Sequence, residues 1–368
     1  MDKSRKLSSF SSSIENTELL GHQNAEKLFL NLINNESLPH GWIFSGPKGI
    51  GKATLAHKVA RYLLCYGLKK ESANPSEKRK EIKKGENLWV NPESEIFQRV
   101  SAGGHADLLT VERKPNERGK WSNNIPIDDI RKIKSFFSKT AAEDGWRIVI
   151  IDSADEMTSN AANALLKNLE EPPSHTLLLL ISHNPNSLLS TIRSRCRELT
   201  LSILKYPDII NLLGIRFPNL TDLEKNLLAI IGEGRIGYTI KLNEIGGLEI
   251  YSDIMQLLNS MPKLTSKKLH DFATKLAKPG AEDIFLNSMN ILNGILARLI
   301  RGHIMDIEKV PIAEIELQKN FFNDGNLDRW LNVWENINNY QYNHKILNLD
   351  PKQTTLNIFL EIEQNFSP

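Results

Sequence analysis

The chain has 368 residues, enough for two or three domains. Its 40% apolar and 7% aromatic content is that of an ordinary globular protein, and a net charge of +2 offers no bulk attraction for free-standing nucleic-acid binding. Two cysteines, Cys65 and Cys196, exclude a disulfide scaffold and a four-cysteine zinc site within one chain. No apolar stretch reaches membrane-spanning length and the polar N-terminus lacks a secretory apolar region, so no membrane partner and a cytoplasmic location are expected.

Residues 1–16 are rich in Ser and charge and are expected to fray. Leu20, Ala25, Leu28, Phe29, Leu32 and Ile33 follow helical spacing up to Asn34. The apolar run from Trp42 to Phe44 then reads as a buried strand. It stops at Gly46-Pro47-Lys48-Gly49-Ile50-Gly51-Lys52-Ala53-Thr54, and an alanine-rich helix follows. Strand, glycine-rich turn and helix in that order make a phosphate-binding loop. The glycines let backbone N–H groups curl around phosphates, and the helix N-terminus adds a positive dipole end. The full motif ends Gly-Lys-Ser or Gly-Lys-Thr, whose hydroxyl ligates Mg²⁺, whereas here Gly51-Lys52 is followed by Ala53. The spacing alone arises by chance in roughly one chain in ten of this length. Its place at a strand-to-helix junction gives it weight.

Residues 67–95 are charged and poor in core residues. Glutamates alternate with the lysines and no aromatics accompany them, so a solvated excursion is expected rather than a nucleic-acid patch. Asp107 to Val111 reads as a short strand, Ile127 to Phe137 as an amphipathic helix, and Trp146 to Asp152 as a buried strand ending in a carboxylate. Ala161 to Leu169 is a helix stopped by Pro172-Pro173, and Thr176 to Ser182 is a further buried strand. Continuous apolar strands alternating with helices predict an α/β domain, a parallel sheet with helices on both faces. After about residue 203 only helical patterns remain. Short ones are broken by Pro218 and Gly232-Glu233-Gly234, and longer amphipathic ones follow at Ile254–Leu258, Lys267–Ala277, Ile284–Ile304, Leu327–Ile337 and Thr354–Ile362. They predict an all-α C-terminal domain.

Asp152, at the end of the second apolar strand, has the position of the Asp that reaches the Mg²⁺ region in P-loop proteins. Ser153 follows it where a water-polarising Glu belongs. Asp155 and Glu156 come later and are expected to be surface charge at a helix N-terminus. Ser194-Arg195-Cys196 opens the last sheet segment. An arginine there can reach a neighbouring subunit's nucleotide as a trans arginine finger, although on spacing alone Arg193, Arg195 and Arg197 read as a basic surface stretch.

Asn163-Ala164-Leu165-Leu166-Lys167-Asn168-Leu169-Glu170-Glu171-Pro172-Pro173, with Thr191-Ile192-Arg193-Ser194-Arg195-Cys196, resembles the bacterial clamp-loader subunits of DNA polymerase III, in the AAA+ superfamily. The pair of motifs is highly specific. Motor subunits of that family carry Gly-Lys-Thr/Ser, Asp-Glu and a four-cysteine zinc module. This chain carries Gly51-Lys52-Ala53, Asp152-Ser153 and only Cys65 where the module would begin. Gly104-His105-Ala106-Asp107-Leu108 is similar to the segment that follows the module, and Asn348-Leu349-Asp350-Pro351-Lys352-Gln353 to the last collar region. The resemblance covers nearly the whole chain and is to the delta-prime type.

That resemblance implies an AAA+ P-loop domain over 1–203, a small helical lid over 204–249 and an all-α collar over 250–368 that joins a ring. It implies a stator-like subunit, without intrinsic ATPase, that completes a neighbouring motor's ATP site with Arg195 as its catalytic residue. ATP would be held without hydrolysis by Gly46 through Thr54 and Asp152, with no zinc and no resident metal expected. The partners implied are the gamma/tau motor subunits and the delta subunit, and, through the complex, the sliding clamp and primer-template DNA. The sensor residue at the next strand end is Ser182 or His183, and Arg235 lies beside the place of a lid arginine. A hydrolysing ATPase of the gamma/tau type, with Thr54 or Glu156 rescuing the missing groups, is the alternative. A nucleotide kinase is disfavoured by the helical C-terminal third.

Overall fold

A computed structural model describes residues 13–67, 87–114, 122, 124–142, 145–304, 310–321, 327–347 and 349–366. Most of the charged excursion, the first twelve residues and Asn348 lie outside the described residues. The chain divides into two compact units, residues 1–205 and 206–368.

In the first unit α1 (Gln23–Asn34) precedes β1 (Gly41–Ser45), α2 (Lys52–Tyr66), α3 (Glu95–Ser101), β2 (Leu108–Glu112) and α4 (Ile127–Ser138). Then come β3 (Arg147–Asp152), a 3-10 turn at Ala154–Glu156, α5 (Ser159–Glu170), β4 (Thr176–Ile181), the short α6 (Ser190–Arg193) and β5 (Arg197–Thr200). The five strands are all parallel, in the order β2-β3-β4-β1-β5. Side chains alternate across the sheet with the strand period of two. Trp42, Phe44, Ile148, Ile150, Leu177 and Leu179 pack on the face that carries α1 and α2. Ile43, Val149, Ile151, Leu178 and Leu180 pack on the face that carries α4 and α5. Both faces are therefore covered, which is why β1, β3 and β4 read as unbroken apolar runs. The α/β expectation holds, and α3 is an added helix too short to show a period.

Helix α2, which follows the loop, is buried nearly throughout, its polar residues included. Lys58 pairs with Glu26 of α1 at 2.5 Å and donates to the Thr17 carbonyl. Arg61 donates to the carbonyls of Ile14 and Asn16. These charges are inside because each has a fixed acceptor, as burial requires. Together they fasten the segment 14–17 along α2.

The second unit is all helical, as expected: α7 (Tyr206–Arg216), α8 (Asp222–Ile231), α9 (Ile236–Glu244), α10 (Gly247–Asn259), α11 (Ser266–Leu276), α12 (Glu282–Ile304), α13 (Ile312–Phe321), α14 (Leu327–Leu347) and α15 (Pro351–Phe366). Thr221 and Glu224 form a reciprocal capping box at the start of α8. Arg298 of α12 makes a two-pronged bond to Glu314 of α13, at 2.9 and 2.8 Å, and the Tyr251 hydroxyl of α10 donates to the same carboxylate at 3.0 Å. Glu314 is wholly buried, so this group of three fixes how α10, α12 and α13 meet.

Candidate functional site

The loop Gly46–Gly51 joins the C-terminal end of β1 to α2. It turns through positive φ at Gly46 (133°), Gly49 (86°) and Gly51 (104°), a region that glycine enters without strain. A Cβ at Gly46 would lie 2.4 Å from the Leu201 carbonyl oxygen, and one at Gly51 would lie 2.9 Å from Leu19 Cδ1. Ile50 is buried beneath the loop, and its carbonyl accepts from His22 Nε2–H at 2.8 Å. Burial lowers the His22 pKa, which keeps the ring neutral as that donor. The first helical bond of α2 runs from Leu55 N–H to the Gly51 carbonyl at 3.0 Å. The N–H groups of Lys52, Ala53 and Thr54 therefore point out of the helix end toward the loop's concavity.

Lys52 is buried, and its Nζ donates to the carbonyls of Gly46 and Pro47, the latter at 2.6 Å. Burial pulls its pKa down to about 8 against the opposing pull of Asp152 and Asp155, and Lys48 lowers it further. Asp152 ends β3, with Glu112 of β2 beside it in register. Burial, Glu112 and Glu156 raise its pKa to about 6, against Lys52 and Lys48. Ser153 is buried, and its hydroxyl has no partner among the described residues. Lys48 is exposed, Thr54 is buried in the first turn of α2, and Ala53 offers no hydroxyl.

Asp155 and Glu156 depart from the sequence expectation. They sit on the 3-10 turn before α5, not on the first turn of the helix, and neither is loose surface charge. The Asp155 carboxylate accepts from Ser182 Oγ at 2.6 Å and from the His183 backbone N–H, which ties the end of β4 to the turn after β3. Glu156 pairs with Arg113 at 2.7 Å. Of the two sensor candidates, Ser182 is fully buried and bonded to Asp155, whereas His183 is half-buried with Nδ1 unpartnered. Burial, with Lys52 and Lys48 nearby, lowers the His183 pKa to about 4, so the ring is neutral near the loop.

Arg195 lies elsewhere. It follows α6 and precedes β5, whose Arg197 is in register with Trp42 near the start of β1. A Cβ at Gly41 would lie 3.4 Å from the Arg195 carbonyl oxygen, so Arg195 is level with the start of β1, and the loop begins beyond the end of that strand. At about 3.3 Å per residue, the five residues from Gly41 to Gly46 separate them by roughly 17 Å. The exposed Arg195 guanidinium is held by Glu170 at 2.8 Å and by the Thr191 carbonyl at 3.0 Å. Its neighbours differ. Arg193 donates to Asn186 at 3.3 Å, and Arg197 stacks 5.5 Å over the Trp42 ring. Cys196 is half-buried, and burial pushes its thiol up to about 12, so it packs and does not react. In the second unit Arg235 pairs with Glu233 at 3.1 Å and stacks 4.4 Å over Tyr238.

The structure thus gathers Gly46 through Thr54 with Asp152 and sets Arg195 apart. The sequence alone did not point to His22, Glu112 or the bridging role of Asp155. Glu112 was accessible in principle, since it ends its strand as Asp152 ends the next. His22 gives no sequence signal, because its partner is a backbone carbonyl 28 residues away.

The family described as DNA polymerase III, delta subunit, matches residues 21–205. The chain belongs to that family. It is 37% identical over 157 residues to the DNA polymerase III subunit delta' of Pseudomonas aeruginosa, covering 43% of this chain and 41% of that one. It is 35% identical over 179 residues to the delta' subunit of Bacillus subtilis, covering 49% and 47%. A DNA polymerase III gamma subunit, from Buchnera aphidicola, is 27% identical over 196 residues, covering 53% and 47%. The chain therefore spans less than half the length of these relatives.

Proposed function

We propose that this protein is the delta-prime subunit of a DNA polymerase III clamp loader, a stator that does not hydrolyse ATP and completes the ATP site of an adjacent motor subunit through Arg195. The observation that carries the reading is that Arg195 lies beside the start of β1, with the chain's own loop beyond its other end, roughly 17 Å away. An arginine side chain cannot span that distance, so a phosphate met by Arg195 belongs to another subunit. Glu170 and Thr191 hold the guanidinium at the surface, as a finger acting in trans requires.

The chain's own loop fits a phosphate. Its glycine cradle, the outward N–H groups of α2 and Lys52 all favour an anion. It fits Mg²⁺ poorly, because Ala53 supplies no hydroxyl where the full motif places a metal-ligating one. In a hydrolysing site the metal would neutralise charge on the transferred phosphoryl group. Here Lys52 and the loop amides would bind and orient the phosphates, and Ser153 offers no carboxylate to polarise a water. Thr54 is buried and Glu156 is engaged by Arg113, which weighs against either rescuing hydrolysis.

In this reading residues 204–249 are the lid and 250–368 the collar that joins gamma/tau and delta subunits in a ring. The ring loads the sliding clamp onto primer-template DNA in the cytoplasm. The test is a reconstituted complex carrying Arg195→Ala. Ring assembly should persist while clamp- and DNA-stimulated ATP hydrolysis falls. Unchanged hydrolysis in a correctly assembled complex would remove the finger.

A further inference from the structure

Helices α14 and α15 pack side by side and leave a groove of about 570 Å³ between their outer faces. Its lining is dominated by primary amides. Asn336, Asn339 and Asn343 recur at helical spacing along α14, and Asn357 and Gln364 face them from α15. Asn is among the poorer helix formers, since its side chain competes for backbone hydrogen bonds. Five asparagines in one 21-residue helix therefore work against that helix. Asn338 has an internal use, bonded to Asn293 and to the Trp334 carbonyl. The side chains of Asn339, Asn343 and Gln364 have no hydrogen-bond partner among the described residues and are exposed along the groove.

The chemistry of this lining narrows what it can hold. Among the described residues no lysine or arginine lines it and its one charged group is Glu361, while Arg329, bonded to the lining Asn365 at 2.7 Å, is committed there, so a phosphate backbone is disfavoured. Its apolar contribution comes from Leu360 and the Tyr340 ring, too little for the apolar face of a docking helix. A primary amide presents a donor and an acceptor side by side, the same pair that a peptide unit presents. From Asn336 to Asn343 is about 10 Å along the helix, which roughly three residues of extended chain would span. Glu361 lines the groove and already accepts from Asn336 at 2.6 Å and from Tyr340, which fixes its carboxylate beside the amides.

We propose that the groove between α14 and α15 binds an extended peptide segment of a partner protein, its main chain paired by Asn339, Asn343 and Gln364 and one Lys or Arg side chain paired by Glu361. This goes beyond the clamp-loader reading and does not depend on it.

The test pans a library of random dodecapeptides against the full chain. Enriched peptides are resynthesised with a fluorescent label, and binding is read by anisotropy. Enriched peptides should carry Lys or Arg. They should weaken about tenfold to a hundredfold against Asn339→Ala/Asn343→Ala/Gln364→Ala, because each lost hydrogen bond is worth roughly a factor of ten or less. Replacing these exposed residues by alanine favours the helices, so the circular dichroism should be unchanged. A second arm leaves the protein unaltered and N-methylates alternate peptide nitrogens, which should cause a similar loss. The proposal is overturned if no peptide enriches, if enriched peptides bind the triple variant as well as the original, or if N-methylation has no effect. It is overturned equally if labelled oligothymidylate, and not peptide, binds in an amide-dependent way, or if the triple variant changes only subunit assembly.

Discussion

The buried Lys52 makes nucleotide binding by the isolated chain depend on pH in a way the structure specifies. An anion in the loop requires the charged ammonium. Burial lowers the Lys52 pKa to about 8, so the charged form is present below that value and lost as pH rises through it. The apparent Kd for ATP then scales inversely with the fraction of Lys52 that is charged. It should double by about pH 8 and be roughly tenfold weaker by about pH 9 than at about pH 7. A lysine with an ordinary pKa would show no change over that range. Asp152 titrates near 6 and His183 near 4, so neither contributes to the slope above neutrality. The terminal phosphate of ATP, with a pKa of about 6, is fully charged throughout. The assay is calorimetric titration with ATP in EDTA across this range, repeated on Lys52→Met, which should bind weakly with no slope. A flat Kd in the original protein, or the same slope in Lys52→Met, would refute the placement of Lys52 as the phosphate-facing cation.

The isolated chain should show no ATP turnover above background, because Ala53 lacks the metal-ligating hydroxyl and Ser153 the carboxylate. Steady hydrolysis abolished by Lys52→Ala would contradict this. In the second unit, Arg298→Met strands a wholly buried Glu314 and should cost about 3–5 kcal/mol in denaturant unfolding. Arg298→Met/Glu314→Leu should recover most of that loss, and a single variant as stable as the original would show that the pair does not hold α10, α12 and α13 together.

The sheet was legible because its central strands are buried on both faces. β3 and β4 were placed to within a residue, and the long apolar faces of α12 and α15 located those helices despite shifted ends. The loop was legible from Gly46, Gly49 and Gly51, whose positive φ values make glycine necessary there. What escaped notice depends on contacts between distant residues. Asp155 reads as solvated charge until β4 returns beside β3 and brings Ser182 to it. Lys58 and Arg61 read as the polar face of a helix until the segment 14–17 is laid along α2. The amide groove needs two helices side by side before Asn343 and Gln364 form one surface. Arg195 is the opposite case. Its motif was readable, whereas its distance from the loop came only from the parallel register of β1 and β5.

The most direct test of the central claim compares two single variants, Arg195→Ala and Lys52→Ala, each built into the same reconstituted clamp loader. If this chain completes a neighbour's ATP site, Arg195→Ala should lower clamp- and DNA-stimulated hydrolysis and impair loading, while Lys52→Ala leaves hydrolysis near its original rate. An arginine finger is worth about 10³–10⁵ in rate at the site it serves, so the loss at that one site should be nearly complete while the ring's other sites continue. Arg197→Ala, which removes only the stacking over Trp42, serves as the control. If Lys52→Ala abolishes hydrolysis and Arg195→Ala behaves like Arg197→Ala, the chain is a motor acting through its own loop and not a stator.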